Sequence, residues 1–181
     1  LFQKRIDLEL TRILPRIVEL ATSSTNRKIK ITSCELLHSI IIYMIGKSAS
    51  SIGGKNQKRL SFDNIYSRIL PTIFTIACDA DDVSTKIFNT LCLQIVRWFS
   101  GNKETENKET VCLLDTLMAC VSVRDNANLR EFSAVCIGEF VKWFIKQSTE
   151  EQLKMNYSGI KSVIRRIHNN SNHPDFYYRY G

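Results

Sequence analysis

Cys34 and His38 stand four residues apart, the one close thiol–imidazole spacing in the chain. A thiol beside an imidazole could act as a nucleophile with its base. That chemistry also needs a third orienting group and an oxyanion site, and the sequence supplies neither. Zinc would need four clustered Cys or His ligands. His168 and His173 are neighbours, but no cysteine lies within thirty residues of them. Asp79, Asp81 and Asp82 form the densest acidic cluster. A calcium loop would need a glycine at its sharp turn and a closing bidentate glutamate. Here Asp81-Asp82-Val83 leads straight into a helical pattern, which makes the cluster a helix cap favoured by the helix dipole. Phosphate-loop and kinase signatures are absent from the sequence, so no catalytic residue, metal or cofactor is expected.

What remains is surface. Lys142, Lys146, Lys161, Arg165 and Arg166 are the best candidates for a face that binds DNA or an acidic partner. Lys142 and Lys146 are one helical turn apart, and Arg165 and Arg166 follow Lys161 by one turn. Trp98 and Trp143 could stack bases if they were exposed on a basic face. Their apolar neighbours Ile95, Phe99, Phe144 and Ile145 favour a place in the core between repeats.

The elements that position these residues read as helices throughout. Apolar residues recur at i, i+3, i+4 and i+7, and no stretch alternates as a strand would. The pattern predicts helices over roughly 4–21, 28–46, 62–78, 83–100, 108–122, 128–147 and 157–169, with another from near 175. Asn26, Asp82, Asn107 and Asn126 fall near the junctions, where short polar side chains cap exposed N–H groups. Seven glycines and three prolines in 181 residues are too few for a β-sandwich, and 44% hydrophobic content is enough for a continuous core. No run of 18 apolar residues suggests a membrane span. The six cysteines all lie in apolar helical stretches without a close C-x-x-C pair, as buried free thiols would.

The phrase Leu14-Pro15-x-Ile17-x-x-Leu20-Ala21 returns 56 residues later as Leu70-Pro71-x-Ile73-x-x-Ile76-Ala77. Basic residues enter the second helices at Lys30, Lys86, Arg130 and Arg179, with small residues or Thr expected four positions on at Cys34, Thr90 and Ala134. The second helices end alike, as Ile95-Val96-Arg97-Trp98-Phe99 and Phe140-Val141-Lys142-Trp143-Phe144. Proline, turn and basic slot together resemble the HEAT repeat. The expected fold is an all-α solenoid of about three to four antiparallel helix pairs, approximately 4–46, 62–100, 108–147 and 157–181. The Ser-, Gly- and Lys-rich segment 47–60 reads as a flexible loop, and 102–108 as a polar link.

Charge follows this organisation. Residues 1–46 carry +3, segment 47–60 +4, residues 61–153 −4 and residues 154–181 +4. The first residue is Leu1, inside a helical pattern, so the chain reads as a piece of something longer.

A narrower resemblance rests on Ser23-Ser24-Thr25-Asn26-Arg27-Lys28-Ile29-Lys30, Cys34-Glu35-Leu36-Leu37-His38-Ser39 and Ala77-Cys78-Asp79. It continues through Leu129-Arg130-Glu131-Phe132, Phe140-Val141-Lys142-Trp143 and His173-Pro174 to Arg179 and Gly181. These stretches resemble the helical scaffold of the DNA-dependent protein kinase catalytic subunit family, within the phosphatidylinositol-3-kinase-related kinases. Segments 47–60 and 100–125 depart from the pattern. The resemblance implies a nuclear scaffold in double-strand break repair by end joining, with the Ku heterodimer and double-stranded DNA ends as partners of the whole protein. Further expected partners are neighbouring repeats of the parent chain, with no membrane. The resemblance places no catalytic or DNA-contacting residue at a numbered position here.

Overall fold

A computed structural model describes residues 9–51, 62–79, 81–101, 107–151 and 158–180. The described residues are helical with no strand, as the periodicity predicts. The chain divides into two compact units, Leu1–Lys58 and Arg59–Gly181.

In the first unit, α1 (Leu10–Ser23) packs antiparallel on α2 (Arg27–Ser51). Leu10, Leu14, Ile17 and Ala21 recur at helical spacing and are buried. Cys34, Leu37, Ile40, Ile41 and Met44 form the buried stripe of α2. Asn26 caps α2, its Oδ1 accepting from Lys28 N at 3.0 Å and Ile29 N at 3.4 Å. The Cys34 thiol donates to the Ala21 carbonyl at 3.9 Å, so the small residue expected at a close approach is where the helices meet. Helix α2 runs five residues beyond its expected end and takes in 47–51, the start of the segment read as a flexible loop. The exposed Gly46 weakens the helix without breaking it, since one interior glycine costs only about 1 kcal/mol against alanine. The rest of that loop, 52–60, lies outside the described residues. By length and mean hydropathy of 1.4, Arg27–Ala49 also meets the requirement for a membrane span. Its buried stripe against α1 gives the apolar content a second cause.

The second unit holds α3 (Asp63–Ala77), α4 (Asp82–Ser100), α5 (Lys108–Val121), α6 (Ala127–Gln147), α7 (Ser158–Ser171) and α8 (Phe176–Tyr180). Within pairs, α3 packs on α4, α5 on α6 and α7 on α8. Between pairs, α3 packs on α5 and α5 on α7, while α4 packs on α6. First helices therefore stack on first helices and second on second. This two-layer order is how a solenoid buries faces that a single pair would leave in water. The core includes Leu70, Phe74, Phe88, Leu91, Ile95, Phe99, Leu113, Leu117 and Phe140, all almost fully buried. Each contributes about 1.5–3 kcal/mol by leaving water.

Pro15 and Pro71 both lie inside first helices. A proline at i leaves the carbonyl at i−4 without its helical donor. Those carbonyls belong to Thr11 and Ser67, on exposed positions where water reaches them. The repeated phrase thus puts its missing hydrogen bond on the solvent side each time.

The junction caps are largely those expected. Asn107 Oδ1 accepts from Glu109 N at 2.9 Å, and Asn126 Oδ1 from Leu129 N at 2.9 Å. At the acidic cluster the cap is Asp81, one residue before the expected Asp82. Its Oδ2 accepts from Ser84 N at 3.3 Å and Ser84 Oγ at 3.0 Å. Helix α3 is capped differently. Phe62 at its N-cap has no side-chain acceptor, and its N–H instead donates to Glu109 Oε1 at 2.8 Å. Glu109 belongs to the first turn of α5 and is buried, so the next pair's helix satisfies an orphan donor of this one.

Candidate interaction surface

The basic slot opening the second helix is a clamp where it is arginine. Arg130 Nη1 donates to the carbonyls of Val123 at 2.9 Å and Arg124 at 3.1 Å. Arg179 Nη1 does the same to His173 at 2.9 Å and Pro174 at 2.7 Å. Each guanidinium ties its helix to the turn before it, a use for which the planar fork of arginine is suited. Adjacent turns are joined by an Arg124–Asp175 ion pair, while Arg124 and Arg130 lie over the Tyr177 ring at 5.5 and 6.0 Å. The Arg124 hydrogen bond holds the Asp175 carboxyl below its usual range. Thr90 and Ala134 do not sit at close approaches: both are exposed, and Ser133 takes the buried place on α6. Cys34 alone of those three follows the expectation.

Lys142 and Lys146 occupy one turn of α6, both exposed. Lys142 Nζ pairs with Glu139 Oε1 at 2.8 Å, and Trp143 Nε1 donates to Glu139 Oε2 at 3.1 Å. The Lys142 hydrogen bond draws the Glu139 carboxyl below its ordinary value. Lys146 Nζ stands 4.7 Å from the centroid of Trp143, and Arg97 of α4 stacks on the same ring at 3.9 Å. Trp143 is half-buried beneath two cations rather than enclosed in core, and Ile145 beside it is exposed. Trp98 is half-buried, and its enclosed Nε1 has no hydrogen-bond partner among the described residues. Arg97 was legible as a candidate, because it holds in α4 the register that Lys142 holds in α6.

On α7, Lys161 and Arg165 are exposed. Arg166 is half-buried, ion-paired with Asp115 of α5, and its Nε donates to Ser162 Oγ at 3.3 Å. Burial lowers the pKa of its guanidinium. Of the five candidate cations, then, Lys142 and Arg166 already have protein carboxylates as partners.

The six cysteines are free thiols. Cys92, Cys120 and Cys136 are buried and Cys78 is half-buried where four helices meet. Burial pushes the Cys120 thiol up to about 11 and the Cys136 thiol up to about 12, each raised further by neighbouring thiols. Ser133 pulls Cys120 the other way through a hydrogen bond. Among the described residues no three His, Cys, Asp or Glu side chains gather to hold a metal.

Two open grooves cross the stacked pairs. One, of about 470 Å³, runs along Ser67 and Pro71 of α3 and Val111, Cys112 and Asp115 of α5. The other, of about 360 Å³, lies between the α3–α4 turn and the first half of α6.

These features define a stacked helical-repeat protein whose described surface offers clamps, cations and grooves. A family model described as DNA-dependent protein kinase catalytic subunit, CC1/2, matches residues 60–181, which is also the extent of the second compact unit to within one residue. The chain belongs to the DNA-dependent protein kinase catalytic subunit family. It is 37% identical over 168 residues to the catalytic subunit of Gallus gallus, covering 93% of this chain and 4% of that protein. To that of Dictyostelium discoideum it is 35% identical over 179 residues, covering 99% and 4%. To that of Xenopus laevis it is 34% identical over 172 residues, covering 95% and 4%. The chain thus spans about 4% of the length of these curated relatives.

Proposed function

We propose that this chain is a non-catalytic scaffold segment of a DNA-dependent protein kinase catalytic subunit, acting in the nucleus in double-strand break repair by non-homologous end joining. The observation that supports this most is the layered stacking of α3, α5 and α7 beside α4 and α6 within the stretch matched as CC1/2. Such stacking presents surface and encloses no reaction centre. Its immediate partners are the neighbouring repeats of the parent protein. Ku and DNA ends are partners of the whole kinase, whose phosphoryl-transfer chemistry belongs to another part of it.

The alternative, direct binding of DNA or an acidic partner by this segment, is favoured by one arrangement: Arg97, Lys142 and Lys146 around Trp143. Against it, Lys142 and Arg166 already neutralise protein carboxylates, so a phosphate would have to displace them. Fluorescence anisotropy of a labelled blunt-ended duplex, titrated at low and at physiological salt, separates the two. The scaffold reading expects no saturable binding at physiological salt. Micromolar binding that weakens steeply with salt and is lost in Lys146→Ala would replace it with the binding reading.

A further inference from the structure

Arg97 of α4 and Lys146 of α6 meet at one ring because the second helices stack. The Arg97 guanidinium lies 3.9 Å from the centroid of Trp143, and Lys146 Nζ lies 4.7 Å from it. Both cations are exposed, and among the described residues neither forms an ion pair or donates a hydrogen bond. Stacking uses the flat face of a guanidinium and leaves its N–H edge for another acceptor. The ring is held in place by its own hydrogen bond, from Nε1 to Glu139 Oε2 at 3.1 Å. Lys142 pairs with the other oxygen of Glu139 at 2.8 Å, so those two charges cancel. Glu150, four residues beyond Lys146, makes no ion pair with it. Two positive charges are left over, fixed on a half-buried ring between two helices.

This arrangement selects a compact anion. The two charges lie no further apart than 3.9 and 4.7 Å placed end to end. A phosphoryl group that accepts hydrogen bonds of about 2.8 Å on either side bridges such a gap. It also matches the charge, since a phosphomonoester carries about −1.5 to −2 near neutral pH and a carboxylate only one. A duplex fits worse. It carries a phosphate for about every 1.7 Å of its axis, so many of them must be accommodated at once. Residues 61–153 carry a net −4, and phosphates beyond the first would meet that acidic body. We propose that Arg97 and Lys146, ordered by Trp143, bind one phosphomonoester side chain of a partner protein. This goes beyond the scaffold reading, names an occupant other than DNA, and rests on the second unit alone.

The test titrates the 181-residue chain with the peptide Gly-Ala-phosphoserine-Ala-Gly at physiological salt, read by NMR. The chain has two tryptophans, so the indole resonance of Trp143 reports the site and that of Trp98, whose Nε1 is enclosed, is the control. A saturable shift of Trp143 alone is expected. Affinity should fall about fivefold in Arg97→Gln and by a similar factor in Lys146→Gln, as exposed ion pairs allow. It should stay unchanged in Arg165→Gln, which removes an exposed cation of α7. All three positions are exposed, so the fold should survive, and an unchanged thermal melt checks it. The peptide with plain serine should not bind, and one with glutamate in its place should bind about fivefold more weakly than the phosphopeptide. No shift of Trp143, equal binding of the glutamate peptide, or affinity unchanged in both Arg97→Gln and Lys146→Gln would each overturn the proposal. Displacement of the phosphopeptide by an equimolar blunt-ended duplex would also overturn it, since the site would then belong to DNA.

Discussion

Helices α3 and α7 share a layer, and both pack on α5, yet they are built in opposite ways. Helix α3 buries Tyr66, Ile69, Leu70, Ile73, Phe74, Ile76 and Ala77, lying against both α4 and α5. On α7, Val163 is the one buried side chain among those described, and Ile164 and Ile167 are 58% and 49% exposed. Its pair partner α8 has five residues, with Phe176 exposed. The difference teaches that helical period alone does not settle stability in a stacked protein. The same amphipathic code yields a firm helix where full-length neighbours cover it and a loosely held one where a five-residue helix and one side of α5 do.

Core truncation should expose this contrast most strongly. Leu91→Ala or Phe140→Ala should cost about 3–5 kcal/mol in chemical denaturation. Ile164→Ala on α7 should cost within about 0.5 kcal/mol, because its side chain already meets water. Equal losses at both places would erase the distinction.

Removing the cross-pair cap comes next. Glu109→Ala leaves the Phe62 N–H without its acceptor and should cost about 1–3 kcal/mol. Exchange of amides in the first turn of α3 should accelerate more than that of α5, although the substitution is in α5.

Alkaline pH tests the interior from another side. Burial raises the Cys120 and Cys136 thiols to about 11 and about 12 in the folded chain, against an ordinary thiol value of 9.0. Between about 9 and 12 the unfolded chain loses these protons while the folded chain keeps them. Folded stability should therefore fall as pH rises through that window, and be constant with respect to these groups below it. Melting temperature followed from pH 8 to 11 checks the sign, and Cys136→Ala should flatten the slope. Burial also pushes the Tyr66 hydroxyl up, with Glu109 adding to the effect, so some slope should persist in that variant.

The smallest effect should come from the Arg124–Asp175 pair between adjacent turns. Asp175 is held below its usual range, so what the pair contributes is present above the ordinary carboxylate pKa and is lost as pH falls below it. Asp175→Asn should lower the melting point less than Glu109→Ala does, and only above pH 4 or so.

Much of the fold was legible because its causes are local. Asn26, Asn107 and Asn126 act where short polar side chains precede a helical period, and the two Leu-Pro phrases sit inside first helices. The end of α2 was misplaced because Gly46 and the serines after it carry turn-like composition, whereas one glycine does not end a helix whose Ser48 is buried. The surface was less legible. That Arg166 meets Asp115 and Arg97 meets Trp143 depends on how pairs stack, across 51 and 46 residues of chain, and no short-range pattern records it. Glu109 looked like an ordinary first-turn acid, and its reach across 47 residues to Phe62 is equally a product of stacking.

Hydrogen exchange of the 181-residue chain, resolved by helix, tests the central claim most directly. Stacked pairs predict that α3, α4, α5 and α6 exchange through one common, high-energy opening, and that α7 and α8 exchange faster through a separate, lower one. If α7 were as protected as α3, or if α3–α4 opened independently of α5–α6, the account of a well-covered α3–α6 and a sparsely covered α7 would be contradicted.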